Sequence, residues 1–289
     1  MMPFYGRVDH FKAAVRSILE QEEGDWRLVI VDDVYPDDEP GRWARGLGDV
    51  RVTYLRNDVN LGVSGNFQKC VELAESDHLV LMGCDDLMHP NFVAHVTSLI
   101  QRYPTAALIQ PGVVTVDQDG KPSKPLADRV KGAYRLSGAG GRLYDGERLA
   151  ASLLQANWAY FPSLVWRTEE LRRRRFRDDL RVVQDLTMIL EIIADGGSMV
   201  IDDTVCFTYR RHSGSVSAAA APDGSKFVEE AELFAAQAAA MDTRGWRRAA
   251  RAARLHVTSR LHAAADLPAA LRARNGAGVR ALLRHALGR

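Results

Sequence analysis

Apolar positions along the first two-thirds of the chain follow two different rhythms. Phe11, Val15, Ile18 and Leu19 recur at helical spacing behind Asp9, which predicts a helix with Asp9 as its N-cap. Residues 27–33 form a short apolar run ending in acids and predict a buried strand, and residues 50–55 alternate as a strand does. Ser64 then opens a helix whose inner side carries Phe67, Val71 and Ala74, followed by a buried strand at 79–82. Pro90 suits the first position of a helix carrying Phe92, Val93, Val96, Leu99 and Ile100. Strand pattern returns at 106–116, interrupted by Pro111, while residues 117–145, rich in Gly, Lys, Pro and Asp, predict irregular chain. Helix signal at 149–154 and strand signal at 163–166 come next. A helix behind Asp185 has Leu186, Ile189, Leu190 and Ile193 as its stripe, and a last strand covers 206–210.

Strands that alternate with helices of this length predict an α/β layered fold with a mostly parallel central sheet. Such sheets take ligands at the carboxyl ends of their strands. The two acidic pairs, Asp32-Asp33 and Asp85-Asp86, both fall there. Length and charge then divide the chain. At 289 residues it holds one large domain or a domain with an appendage. From residue 243 onward there are eleven arginines, no lysine and one acid, Asp266, about +10 in all, so the remainder is near −9. The expected division is a body over residues 1–217 and a basic, Ala/Arg-rich helical region over 218–289, with a small-residue linker at 218–225. The net charge of +1 argues against a nucleic-acid binder. Three cysteines far apart (Cys70, Cys84, Cys206) suit a reducing compartment, and no apolar run is long enough to span a bilayer. A cytoplasmic protein is expected. Its basic helices either pack on the acidic body or lie on the inner face of an anionic membrane.

Adjacent carboxylates repel, so Asp85 and Asp86 need solvent or a cation to stay ionised together. In isolation they would read as a polar turn; behind the buried run Leu79–Val80–Leu81–Met82 they stand where hard cations and ligand hydroxyls are met. Asp32 can accept hydrogen bonds from a base or ribose, whereas Asp37 and Asp38 read as a solvated turn. Asp185, at the start of a helix, can be an N-cap, a general base, or both. Arg210, Arg211 and His212 concentrate cations ahead of Ser213-Gly214-Ser215 and suit a diphosphate. Among the aromatics Trp158, Tyr160 and Phe161, Trp158 is the expected acceptor-side contact.

In order and spacing these segments resemble glycosyltransferase family 2, inverting nucleotide-sugar transferases of the GT-A fold. The matching pieces are Pro3-Phe4-Tyr5, the run ending at Asp32-Asp33, Asn60-Leu61-Gly62 with Asn66, Gly83-Cys84-Asp85-Asp86, Gln184-Asp185, and the stretch from Tyr209 to Ser217. The resemblance implies that Asp32 contacts the nucleotide base, with Phe4 or Tyr5 near the sugar nucleotide. It implies Asp86 as first metal ligand, Asp85 on ribose or metal, Asp185 as catalytic base, and Arg211 with His212 in the loop over the diphosphate. The implied cofactor is a divalent metal, Mg or Mn, and the implied partners are a nucleotide-diphosphate sugar and a hydroxyl acceptor: a polysaccharide, glycolipid or secondary metabolite. Three positions depart from the pattern. Gly83 stands where many members carry a further acid, Gln184 replaces a frequent Glu, and only Met1 and Met2 precede Pro3, so the first strand is expected to be missing or truncated, with a start assigned too late.

Two other readings follow. A catalytically silent sugar-nucleotide binder or assembly partner would keep the same fold, and Gly83 favours it. A sugar-phosphate nucleotidyltransferase would carry a Gly-rich basic loop after its first strand, which Pro3-Phe4-Tyr5-Gly6-Arg7 does not supply.

Overall fold

A computed structural model describes residues 1–289 except 124, 178, 181, 213–224, 273–274 and 289. The first half is built from β1 (Met2–Phe4), α1 (Val8–Leu19), β2 (Leu28–Asp32), α2 (Glu39–Arg45), β3 (Val52–Arg56), α3 (Gly62–Leu73), β4 (His78–Val80), β5 (Leu87–Met88) and α4 (Phe92–Arg102). Then come β6 (Leu108–Val116), α5 (Leu126–Tyr134), β7 (Arg142–Tyr144), α6 (Gly146–Ala156), β8 (Val165–Arg167), α7 (Thr168–Arg172), α8 (Gln184–Ala194) and β9 (Met199–Arg210). Four helices close the chain: α9 (Ser225–Thr243), α10 (Arg247–Leu255), α11 (Val257–Arg272) and α12 (Gly276–Leu287).

The expected first strand is present but short. β1 pairs in parallel with β2, Met2 opposite Ile30 and Phe4 opposite Asp32, and β2 pairs in parallel with β3. On its other side, Met1 donates its terminal ammonium to the Val80 carbonyl at 2.9 Å and accepts from Met82 N at 3.0 Å. That seam joins the three-stranded parallel sheet to a second sheet, ordered β4-β8-β6-β9-β5 with β7 also on β9. Only β6 and β9 are parallel in the second sheet; its other pairings are antiparallel. The parallel expectation therefore holds for the first half. The second half is mixed because β9, twelve residues long, runs past β7 and β6 and then reaches β5.

Amphipathicity explains the helices. α1 buries Phe11, Ala14, Val15 and Ile18 on one side, although its N-cap is Arg7 in extended conformation and Asp9 sits in the first turn, paired to Arg7 at 2.6 Å. α4 begins at Phe92, two residues beyond Pro90. Pro111 breaks the β6–β9 register as its pattern predicts, and Gly112 permits the bulge: a Cβ there would stand 2.6 Å from the carbonyl oxygens of Asp203 and Thr204. Residues 117–145 are not irregular throughout. They contain α5 and β7, whose few apolar residues leave little periodicity to read.

The basic region joins the body. Leu233, Phe234, Ala238 and Met241 of α9, with Ala249, Ala250, Ala252 and Ala253 of α10, lie in one core cluster with Leu149 and Leu153 of α6 and Ile189 and Ile193 of α8. α11 and α12 form a smaller cluster around Phe227, Ala263, Ala270 and Leu282. No helix among the described residues is long and apolar enough to cross a membrane.

Candidate functional site

Asp85 and Asp86 follow the buried residues Leu81 and Met82 after Gly83 and Cys84, at the point where the chain turns into β5. The antiparallel pairing of β5 with β9, Leu87 opposite Thr208, carries the pair to the carboxyl end of β9. There Arg210 N donates to Asp86 Oδ1 at 2.8 Å, Arg210 Nε donates to the Asp85 carbonyl at 2.9 Å, and His212 Nε2 meets Asp85 Oδ2 at 2.5 Å. Asp86 is buried, and burial together with the adjacent Asp85 charge pushes its carboxyl well above the usual range. Gly83 lies against both side chains: a Cβ on it would stand 2.6 Å from Asp86 Oδ2 and 2.9 Å from Asp85 Oδ1. The residue that departs from the family pattern thus occupies space that the two carboxylates now use.

The strip beside this pair comes from β1 and α1. Tyr5 is 57% exposed, whereas Phe4 is wholly buried against Phe11 and Tyr35. Of these two expected contacts, Tyr5 exposes its ring and Phe4 does not, since side chains alternate along a strand. His10 faces His212 with ring centroids 6.4 Å apart, and burial holds its imidazole below the ordinary value. No sequence pattern singled out His10.

Asp32 is also enclosed, with 0% exposure. Its Oδ1 accepts from Tyr35 N at 2.7 Å, and its Oδ2 accepts from Arg56 Nη1 at 3.1 Å and from the Tyr54 hydroxyl. A carboxylate so engaged does not face a ligand directly; it fixes Tyr35, Tyr54 and Arg56 at the mouth of β2. Asp33 is bound the same way, accepting from Asn57 Nδ2 at 2.9 Å and Leu61 N at 2.8 Å. Asn60 donates to the Asp33 carbonyl at 2.7 Å, and Asn66 to the Val31 carbonyl at 3.0 Å. The Asn60-Leu61-Gly62 and Asn66 motif is therefore a brace for the end of β2.

Asp185 opens the opposite wall. It lies one residue inside α8, is half-buried, and accepts from Leu186 N at 2.7 Å. Burial pushes its carboxyl up to about 6. The N-cap of α8 is Val183, not Asp185, and the cap is supplied from α9: Glu229 Oε1 accepts from Val182 N at 2.7 Å and Val183 N at 2.9 Å. The Asp185 side chain then serves a single first-turn donor, Leu186 N. Gln184, in place of the usual Glu, is bound by the Ser64 hydroxyl at 3.0 Å.

One residue that carried no sequence signal, Asp128, joins residues that did. Arg211 donates from Nε to Asp128 Oδ2 at 2.9 Å, so α5 folds over the end of β9. Arg211 also lies over the Tyr209 ring, and the rings of Tyr160 and Tyr209 pack 5.4 Å apart, each partly exposed. The expected acceptor contact, Trp158, is 1% exposed and donates its indole N–H to Ser152 Oγ at 2.8 Å. It belongs to the core, and Tyr160, two residues on, is the aromatic at the cleft. Ser213 to Ser217 fall outside the described residues.

The donor set suits a hard cation only in part. The His212 imidazole meets Asp85, and beside it Asp86 is disfavoured as an anion where it stands; a cation would relieve that repulsion between like charges. Among the described residues no three His, Cys, Asp or Glu side chains form a ready metal cluster.

Residues 1–152 match the model of glycosyl transferase family 2, a little over half of the chain. The chain belongs to that family. Over 104 residues it is 30% identical to the putative colanic acid biosynthesis glycosyl transferase WcaA of Escherichia coli strain K12, covering 34% of this chain and 37% of WcaA. Over 219 residues it is 24% identical to the succinoglycan biosynthesis protein ExoO of Rhizobium meliloti strain 1021, covering 74% of this chain and 60% of ExoO. The matched part is thus less than two-thirds of either relative. Among solved structures, the mannosyltransferase PcManGT of Pyrobaculum calidifontis, in complex with GDP-Man and Mn2+, superposes with a TM-score of 0.60 at 16% identity, over 99% of this chain and 84% of that one. S. aureus TarS 1-349, in complex with UDP-GlcNAc, gives 0.58 at 12% identity, over 81% and 64%. At such identities the likeness carries the fold, and the family 2 member described here has the GT-A architecture.

Proposed function

We propose that this chain transfers a sugar from a nucleotide-diphosphate donor to a hydroxyl acceptor with inversion at the anomeric carbon. The observation that carries the proposal is the convergence of Asp85 and Asp86 with Arg210 and His212 at the end of β9, beside Tyr209, on which the charges of Asp85, Asp86 and Asp185 all act. Asp86 and Asp85 would hold a divalent ion, Mg or Mn, which when bound neutralises charge on the diphosphate leaving group. Arg211 and His212 supply hydrogen bonds to the same oxygens, and Tyr5 with His10 borders the nucleotide. Asp32 acts as a positioning residue, holding Arg56 and Tyr35 toward the base.

Asp185, ionised, takes the proton of the acceptor hydroxyl as that oxygen bonds to the anomeric carbon. The carbon's bond to the diphosphate oxygen breaks in the same displacement, and the electron pair leaves with the nucleoside diphosphate. Tyr160 and Tyr209 offer an aromatic wall to the acceptor. PcManGT holds GDP-Man and TarS holds UDP-GlcNAc in their complexes, which supports a sugar nucleotide as donor class here. The biosynthetic names of WcaA and ExoO support a saccharide acceptor.

A panel of UDP-, GDP- and dTDP-sugars, incubated with and without Mn and read by mass spectrometry, tests the reading. The expected result is metal-dependent release of one nucleoside diphosphate, lost in Asp86→Asn. If no sugar nucleotide is turned over or bound, the proposal fails, and a sugar nucleotide bound but not turned over would indicate the silent binder instead.

A further inference from the structure

We propose that the outer face of α11 and α12 docks on a lipid surface carrying anionic headgroups. The inference concerns where the chain works and does not depend on the transferase reading. Along α11 the residues Val257, Leu261, Ala264, Pro268 and Leu271 recur every three or four positions and so share one side of the helix. All five are exposed, Leu261 at 62% and Leu271 at 60%. Arg280, Leu283, Arg284 and Leu287 line up on α12 in the same way, and they too are exposed. Two leucines there alternate with two guanidinium groups.

Packing fixes the direction of both stripes. The inward sides of the helices meet Phe227 of α9 in a small core with Ala263, Ala270 and Leu282. Ser259 of α11 donates its hydroxyl to Glu230 of α9. His285 of α12 stands 3.9 Å from the same carboxylate and 2.5 Å from the Ser259 hydroxyl. Ser259 and His285 each lie on the side of its helix opposite the exposed stripe. With α9 behind both, the two stripes open the same way, away from α9.

A contiguous exposed apolar row rimmed by polar groups marks an interaction surface, and the charges around this one select its occupant. Arg272 ends α11; like Arg280 and Arg284 it is exposed and makes no ion pair among the described residues. Asp266, the one acid after residue 243, is turned to the other side of α11, toward His262 at 3.6 Å. A second copy pairing through the same face would set these arginines against their own counterparts. An anionic bilayer instead takes the leucines between its headgroups while the guanidinium groups meet phosphates. That combination of apolar area and positive charge is what holds a helix at a membrane interface.

The test is flotation of the full chain with vesicles of phosphatidylcholine alone and of phosphatidylcholine mixed with phosphatidylglycerol. The native chain is expected to bind the anionic vesicles at least about tenfold more strongly than the neutral ones, and less strongly as salt is raised. Leu261→Ser with Leu271→Ser, and separately Arg280→Gln with Arg284→Gln, should each weaken that binding by about tenfold. Both double variants should melt within about 2 °C of the native chain, because all four side chains are exposed. A second measurement keeps the fold intact: an environment-sensitive dye on Leu261→Cys should shift to the blue with anionic vesicles. The same dye on Val50→Cys, an exposed position in the first half of the chain, should not. No preference for anionic vesicles, undiminished binding by either double variant, or an unshifted dye on Leu261→Cys overturns the proposal. So does a native dimer that Leu261→Ser with Leu271→Ser converts to a monomer in sedimentation, which would give the face to a second copy.

Discussion

At the scale of single residues, environment sets the role of each carboxylate. Asp32 and Asp33 are spent on the protein's own donors, Asp85 and Asp86 face a cationic loop, and Asp185 is left with one backbone donor and little water. Its carboxyl, pushed up to about 6, must be ionised to accept a proton, so the transfer rate is expected to rise with pH through about 6 and level above it. A pH–rate profile of kcat checks this, and a limb near the ordinary carboxylate value of about 4 would contradict it. The stability linkage has the opposite sign. Between the unfolded value near 4 and the folded value of about 6 only the folded state holds the proton, so this group's contribution to stability falls across that window as pH rises. Adjacent acids at strand ends were legible in the sequence as ligand-facing positions. Which acid is enclosed was not, because Tyr54 and Arg56 reach Asp32 from a neighbouring strand that shares no pattern with it. The Trp158 expectation failed for a related reason: its indole partner Ser152 lies a helical turn and a bend away.

At the scale of elements, periodicity located most helices and strands, since each buries one continuous face in a common core. It missed α5, a nine-residue helix with few buried positions, held over the site by the Asp128–Arg211 pair. It also placed Asp185 as a possible cap, where the cap comes from a helix more than forty residues later. Glu229→Ala would leave Val182 N and Val183 N without their acceptor at a cost of about 1–3 kcal/mol, lowering the Tm and loosening the turn that aims Asp185. Glu229→Gln keeps an acceptor oxygen and should recover most of both stability and kcat. Equal behaviour of the two variants would remove Glu229 from this role.

At the scale of the molecule, composition separates a basic region that packing does not. The charge count saw eleven arginines; it could not see that Phe234 and Met241 enter the same core as α6 and α8. Of the two expectations for these helices, packing on the body is what the structure displays for α9 and α10. Phe234→Ala is expected to cost about 3–5 kcal/mol in urea unfolding and to lower transfer activity with stability, since the helix it anchors also carries Glu229. A cost below about 1 kcal/mol would mean that α9 is an independent appendage.

The most direct test of the whole account is Asp185→Asn, measured for donor affinity and for transfer in the same preparation. The account predicts donor binding within about threefold of the native chain, undiminished thermal stability, and transfer slower by roughly 10²–10⁴-fold. Unchanged transfer in Asp185→Asn would contradict it, because Asp185 is the carboxylate to which the account assigns the acceptor's proton.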